Sequence, residues 1–378
     1  MRIRIKPLDT LFFRDGKPFS MGEESWADGI FPPYPSVLYG ALRTWYIANK
    51  DGVFGDDIIK ESEGIKISGI HYRLEDGLYL PMPMDMVEPK EKEREEEREE
   101  EREQKYRVVK LALRGNYWSQ EQKMSNYLLN SLLVSADGED VDAIEEGFME
   151  ANDFKQYLEG TLQETKIRKL KDMVKSEPKV GIGRDRNTNT AQEGKLYRVG
   201  MRRAIDFEII TELQLPFEGI GQHSTFIKMG AEGKTTAFDN LKGRIDALRI
   251  DRDTVTLKTG RFKLYLATPA IFDKNKKSFK DKSDHKTELL GTAWEPNLRR
   301  LGIQAELKAA ALGKPIHIGG FDMAKRKPKP MMKAIPAGSV YYYETQEPVE
   351  KIITTLQGKS VSNYLGDQGF GLAYIGNY

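Results

Sequence analysis

Gly366-Asp367-Gln368-Gly369-Phe370-Gly371-Leu372-Ala373-Tyr374-Ile375-Gly376 stands near the end of a 378-residue sequence. Three of its first six residues are glycine, a density that lets a backbone turn through positive φ and brings its N–H groups close to a ligand. Phosphate is the usual ligand of such a loop. A dinucleotide fingerprint must also follow a strand and open a helix, and almost nothing follows this loop. A nucleotide-cofactor loop is therefore excluded. Two readings remain: a loop that holds a polyphosphate backbone, or a turn into a last strand.

Upstream, strand candidates stand at Thr254–Lys258, Arg261–Ala267 and Ser339–Glu344, and helices are expected over Leu298–Leu312 and from Glu350 to Leu356. A strand–helix–strand–strand–helix–strand order results, the split βαβ arrangement. Lys325-Arg326-Lys327-Pro328-Lys329-Pro330 is a compact basic segment that its prolines keep extended. It is either solvated surface or part of a groove that tracks phosphates. Ile205, Phe207, Ile209, Thr211, Leu213 and Leu215 alternate after Arg202, which predicts a strand and sets a domain boundary at residues 200/201.

Just before that boundary, GIGRDRNTNTAQEGKLYR (181–198) flanks small polar residues with basic ones. It reads as a hairpin with a hydrophilic loop. Alternatively it is a protruding arm over 179–198, touching phosphates through Arg184 and Arg186 and stacking a base on Tyr197.

In the first half, MRIRIK alternates with Ile3 and Ile5 on one face, a half-buried strand. Phe31-Pro32-Pro33-Tyr34-Pro35 is a stiff lead-in, and Ser36 is the expected N-cap of a helix through VLYGALRTWYIAN. Leu38, Ala41, Leu42 and Trp45 form its buried stripe; Ser36, Gly40 and Arg43 share another face. Gly40 costs about 1 kcal/mol against alanine inside a helix, which points to close approach of another backbone, protein or nucleic acid. Strands are expected at Ile65–Ile70 and Leu78–Leu80, with a turn at Asp76-Gly77, and a strand or hairpin arm over Tyr106–Leu113. Between Glu88 and Arg107 runs a mixed-charge block with no apolar stripe, an insertion that cannot pack on a core. Residues Glu121 to Lys175 read as helix-rich, with Tyr127-Leu128-Leu129 and Leu132-Leu133 as the apolar core of one helix.

The length favours two domains. A formal net charge of +1 sets aside a strongly basic nucleic-acid binder but leaves room for a local basic groove. With no cysteine there is no disulfide framework or thiolate metal site, and the four histidines show no metal-ligand spacing. No run has the length of a membrane-spanning helix and the N-terminus has no signal-peptide core, so a cytoplasmic protein without membrane attachment is expected. GxSxG, P-loop and HExxH motifs are all missing. His71 and His317 are the candidate general bases of a metal-free ribonuclease. Binding fits better than turnover, with no catalytic residue, metal or cofactor expected.

Three segments carry a resemblance: PLDTLFFRDGKPF with FPPYPSVLYGALR, Ile335-Pro336-Ala337-Gly338-Ser339-Val340-Tyr341-Tyr342-Tyr343, and GFGLAYIG. In this order and spacing they resemble the RAMP superfamily of CRISPR-associated proteins, and within it the third subunits of the Cmr (type III-B) effector complex. The 181–197 segment is similar to the arm of that family; the 88–107 block is outside the pattern.

The resemblance implies an α+β fold of two tandem ferredoxin-like (RRM-like) domains, 1–200 and 201–378. The first would carry the charged insertion (88–107) and the arm (179–198), and the second would end in the glycine-rich loop. It implies a non-catalytic subunit in antiviral defence that holds the repeat-derived 5′ handle of the guide RNA. Its expected partners are that RNA, the large polymerase-like subunit and the backbone RAMP subunits. A single-stranded handle needs phosphate donors and stacking surfaces. The expected RNA contacts are Ser36, Gly40 and Arg43 on the helix; Gly183, Arg184, Arg186, Asn187, Tyr197 and Arg198 on the arm; Lys325, Arg326, Lys327 and Lys329 in the basic segment; and Gly369, Phe370 and Gly371, with N–H groups as donors. No RNP1-type sequence is present, so a cleft-and-loop mode is preferred to the sheet face. The alternatives are a metal-independent endoribonuclease of the superfamily that processes repeat RNA, and a purely structural assembly subunit.

Overall fold

Ile3 and Ile5 alternate with charged residues and both are fully buried, so the first strand commits one face to the core. A computed structural model describes residues 1–14, 26–49, 60–74, 77–90, 109–115, 129, 131–136, 138–185, 187–188, 190–216, 225–241, 256–258, 260–273, 291, 293–322 and 327–378. Besides shorter strands, the first half has β1 (Arg2–Pro7), β2 (Lys66–Leu74), β3 (Gly77–Pro81), β4 (Gly147–Glu150), β5 (Ile167–Lys169), β6 (Val174–Arg184), β7 (Ala191–Ala204), β8 (Glu208–Gln214), β9 (Thr225–Met229) and β10 (Lys234–Asn240). Its longer helices are α1 (Pro35–Asn49) and α2 (Ala151–Glu159). The second half has β11 (Arg261–Leu266), β12 (Ala305–Ala311), β13 (Val340–Thr345), α3 (Val349–Leu356), β14 (Lys359–Ser360) and β15 (Leu372–Gly376).

Among the described residues the fold is mixed α/β, mostly sheet with few helices. The main sheet has eight strands in the order β5-β4-β3-β2-β8-β1-β10-β9, and the second has five, β12-β13-β11-β15-β14. The boundary expected at 200/201 is corrected by β8, which is hydrogen-bonded to β1 on one side and β2 on the other. It is central to the first sheet, and β10 still pairs with β1. The passage to the second sheet therefore lies between Asn240 and Arg261. Alternation also starts later than expected: Ile205 is 52% exposed, whereas Phe207 to Thr211 are all buried, as a central strand requires.

One face of the second sheet is closed by the first half. Lys263, Tyr265, Tyr342 and Tyr374 point towards α2 and the Pro81–Asp85 segment: the Lys263 Nζ donates to the Tyr157 carbonyl (2.8 Å), the Tyr265 hydroxyl to the Pro81 carbonyl (2.6 Å), and the Tyr342 hydroxyl to the Asp85 carboxylate (2.5 Å). Phe154 of α2 packs its ring 4.7 Å from that of Tyr265. Among the described residues one apolar cluster runs from Ile3 through Phe154 to Ile375, and a smaller one gathers around Ile271 and Phe370.

Helix α1 begins at Pro35, where a missing N–H costs nothing, and the Val37 N–H is taken by the Tyr34 carbonyl. Ser36 thus lies inside the first turn instead of capping it. The helix expected over Leu298–Leu312 is replaced by a short 3-10 turn (Leu298–Leu301), a left-handed Gly302 (φ 80°) and strand β12. Its AELKAAA sequence favours helix, but pairing with β13 overrides that preference. Likewise Leu132–Val134 is a strand paired with Ala112–Arg114; short apolar runs do not distinguish the two states by period. In the described part of 121–175, helix is confined to α2 and Leu170–Met173. The Asp76 turn residue, residues 91–107 of the charged block, Tyr106–Val108 of the expected strand or hairpin arm, the Tyr127–Leu128 pair and Thr254–Val255 lie outside the described residues. Thr256–Lys258 has no regular structure.

Candidate nucleic-acid interface

The terminal loop turns through a 3-10 segment (Gly366–Gln368) and two left-handed glycines, Gly369 (φ 92°) and Gly371 (φ 68°), into β15. Both glycines answer to close packing within the chain. A Cβ on Gly369 would stand 2.9 Å from Ile67 of β2, and one on Gly371 2.7 Å from the Ser362 backbone nitrogen. The Gly369 N–H donates to the Gly366 carbonyl, that of Phe370 to Leu365 and that of Gly371 to Pro269. Phe370 is fully buried beside Ile271, Ile318 and Tyr364. The expectation that these N–H groups face a ligand is corrected: all three already have internal partners, and the loop is a turn that docks on both sheets.

Its outer side nevertheless bounds the largest of the described cavities, a groove of about 1140 Å³ between the two halves. Tyr39 and Arg43 of α1, Glu63, Lys66 of β2, Arg300, Lys359 and Asp367 line it. The Arg43 Nε donates to the Ser62 hydroxyl (2.7 Å), with Glu63 3.8 Å from its guanidinium, and Lys66 pairs with Asp367 at 3.4 Å. Arg300 and Lys359 are held differently. Their donors reach main-chain carbonyls, Arg300 to Ser362 (3.1 Å) and Lys359 to Thr354 (2.6 Å). A carbonyl positions a cation without cancelling its charge, so the groove keeps positive charge for an anion. The Tyr39 hydroxyl, pushed above the usual phenol range by burial, stays protonated as a donor.

Of the helix residues singled out in the sequence, Arg43 alone enters this groove. Ser36 is half-buried nearby, and a Cβ on Gly40 would meet nothing within 4 Å, so no contact within the described chain requires that glycine. The arm is an antiparallel hairpin of β6 and β7, and none of its residues lines the groove. Arg184, Asn187 and Arg198 are exposed, and Tyr197 is half-buried across Gly181, where a Cβ would collide with the phenol ring. Gly183 is similarly covered by Lys195. Asp185 organises the tip by accepting the N–H groups of Thr188 (3.0 Å) and Asn187 (2.8 Å), which hold its carboxyl below the usual range. Lys327 and Lys329 are exposed beside a two-residue hairpin with Phe321-Asp322, apart from the groove. Arg186, Lys325 and Arg326 lie outside the described residues.

Over residues 3–378 the chain matches the family model of the CRISPR-associated protein Cas_Cmr3. It belongs to that family. The Cmr-type resemblance read from sequence is therefore shown, although no curated protein matches the Cas_Cmr3 chain. Among solved structures it is similar to chains of the type III-B Cmr-beta complex bound to cognate target RNA, with AMPPnP (16% identity, 90% of this chain and 86% of that one, TM-score 0.48) and without it (17%, 90% and 86%, 0.47). A chain of the Csm3-Csm4 subcomplex of the type III-A interference complex is 14% identical over 92% of this chain and 98% of its own, with a TM-score of 0.34.

Sequence reasoning missed Tyr39, Lys66, Arg300 and Lys359. Arg300 was absorbed into an expected helix, and the others belong to elements brought together only by the docking of the sheets. The histidines also resolve differently. His71 is 3% exposed with Nε2 3.2 Å from the Tyr374 hydroxyl, and burial pushes it down to about 4. It has no route to a substrate. His317 is exposed on the Ile316–Ile318 strand, outside the groove lining.

Proposed function

We propose that this Cas_Cmr3 family chain is a non-catalytic RNA-binding subunit of a type III-B effector complex in antiviral defence. It holds the repeat-derived 5′ handle of the guide RNA in the groove between its sheets. The observation that carries this reading is the pair Arg300 and Lys359, positioned by carbonyls and without an ion pair among the described residues. Arg43, Lys66 and Tyr39 extend the same surface. Single-stranded RNA is the polyanion that such a groove suits, because its phosphates take charge and hydroxyl donors while its bases remain free. Arg184, Tyr197 and Arg198 of the arm, and separately Lys327 and Lys329, are further RNA contacts. The large polymerase-like subunit and the backbone RAMP subunits dock around them.

The order β12-β13-β11-β15 supports a ferredoxin-like second half, and β2-β8-β1-β10 repeats that order in the first. An RRM stacks bases on its sheet aromatics, but Tyr265 and Tyr342 are sealed beneath α2. Recognition in the groove is favoured accordingly. A non-catalytic role fits the burial of His71.

The test is guide-RNA binding by the reconstituted complex across a salt series. Arg300→Ala with Lys359→Ala weakens binding about tenfold and lowers the salt slope by about 1.4, two single-strand phosphate contacts' worth. Unchanged affinity and slope would remove the groove assignment. Specific cleavage of repeat RNA in chelator, lost on His317→Ala, would turn the chain into a nuclease.

A further inference from the structure

A second cavity of about 350 Å³ opens on the far side of the same 3-10 turn whose Arg300 lines the groove. Trp294, Pro296 and Leu298 form one wall, Ala305 and Leu307 of β12 another, and Tyr343 of β13 the back. The walls are firmly built. The Tyr341 hydroxyl donates to the Trp294 carbonyl (2.6 Å), the Ala293 N–H to the Phe272 carbonyl (3.0 Å), and the Arg300 N–H to the Asn297 side chain (3.3 Å). A site held open in this way loses little order when a ligand enters.

Two features ask for a ligand. Tyr343 is 3% exposed and its hydroxyl has no hydrogen-bond partner among the described residues, although buried polar groups are nearly always paired. Beside it, Trp294 presents a half-buried indole at the mouth, with the exposed Arg299 next to it. The aromatic wall, apolar floor and unpaired hydroxyl suit a flat heterocycle with polar edges.

We infer that this cavity receives one unstacked base of the RNA strand whose phosphates lie in the adjoining groove. The inference rests on the groove reading above. Arg299 and Arg300 are consecutive on one turn, the first at the cavity and the second in the groove, so a strand crossing the turn could keep its backbone on Arg300 while a base drops beside Trp294. A strand-borne base is favoured over a free nucleotide because the cavity adjoins the groove across the Arg299–Arg300 step, and its described lining sets Arg299 against Asp273 and Glu295, an unfavourable charge balance for a polyphosphate. Its edge would meet the Tyr343 hydroxyl, which donates or accepts.

The experiment is an abasic scan of the handle RNA bound to the reconstituted complex, with wild-type chain and with Ala305→Phe, which fills the cavity; Trp294→Ala serves if that variant does not assemble. One position is expected to lose about tenfold in affinity when abasic with wild type, and nothing further with either variant. Tyr343→Phe should weaken the intact RNA and leave that abasic RNA unaffected. If Arg300→Ala weakens binding but every abasic position is equivalent in wild type and cavity variants, the base site is overturned and the groove stands. If Arg300→Ala is also without effect, both fall. A flat scan together with a thermal shift by adenosine or cytidine monophosphate in wild type, absent in Ala305→Phe, would reassign the cavity to a soluble nucleotide and overturn the strand-borne base.

Discussion

Two regions join the halves of this molecule, and they use charge in opposite ways. In the groove, Arg300 and Lys359 keep their charge in water. On the other face of the second sheet, Lys263, Asp85, Tyr157 and Tyr342 are each no more than 1% exposed. There the Asp85 carboxylate accepts from both tyrosine hydroxyls, and the Lys263 Nζ sits 3.2 Å from the Tyr157 ring centroid. Burial depresses Lys263 to about 7 and raises Tyr157 far above the phenol range, with Asp85 adding to the latter. The closed region fixes the docking of the sheets, and the open one depends on that docking for its shape. A buried polar network tolerates few geometries, so it acts as a register pin for the groove.

The largest effect is expected from breaking the closed region. Asp85→Ala strands two hydroxyls and removes the negative charge that offsets the buried Lys263 amine, and should cost about 3–5 kcal/mol in urea unfolding. Lys263→Met, which replaces the charge with an apolar chain, should cost far less. Equal losses would show that packing, not charge, holds the halves together.

Protons offer the next probe. His71 falls from 6.5 to about 4 on folding, so the unfolded chain binds the extra proton first. Stability is fully present above pH 6.5 and is lost as pH falls through about 4, by up to about 3 kcal/mol over the full span. Lys263 acts in the same direction in a higher window: stability rises from about pH 7 towards 10.5, as the buried amine sheds its proton and the unfolded one keeps it. Urea midpoints across both windows check this. His71→Gln should flatten the lower one and Lys263→Met the upper.

Smaller effects separate the glycines. Gly371→Ala forces a side chain into a left-handed residue against the Ser362 backbone and should cost roughly 1–3 kcal/mol, visible as a lower melting temperature. Gly40→Ala meets open space, and should stabilise the isolated chain by about 1 kcal/mol. If it also weakens RNA binding or assembly, an external backbone lies against α1. If both are unchanged, Gly40 has no recognition role.

Periodicity made α1 and the strands at Arg2–Pro7, Lys66–Leu74 and Arg261–Leu266 legible, because each repeats apolar residues over a local span. It failed for Ala305–Ala311, whose alanines favour helix until β13 supplies a ladder. The terminal glycines were legible as special positions, but Gly369 makes room for the Ile67 side chain and Gly371 for the Ser362 backbone, not for a phosphate ester. Of the groove's cations only Arg43 was legible. Lys66, Arg300 and Lys359 are spread across the chain, and only the docked sheets make them its neighbours.

The pairing of β1 carries a further consequence for synthesis. Ile3 and Ile5 leave the ribosome roughly 200 residues ahead of their partners, Thr211 and Ile209 on one side and Asn240 and Phe238 on the other. At roughly 5–20 residues per second, the first strand waits on the order of tens of seconds for its neighbours. Throughout that interval the nascent chain must shield an apolar edge that the finished protein never displays, so the time of greatest aggregation risk precedes release of the chain.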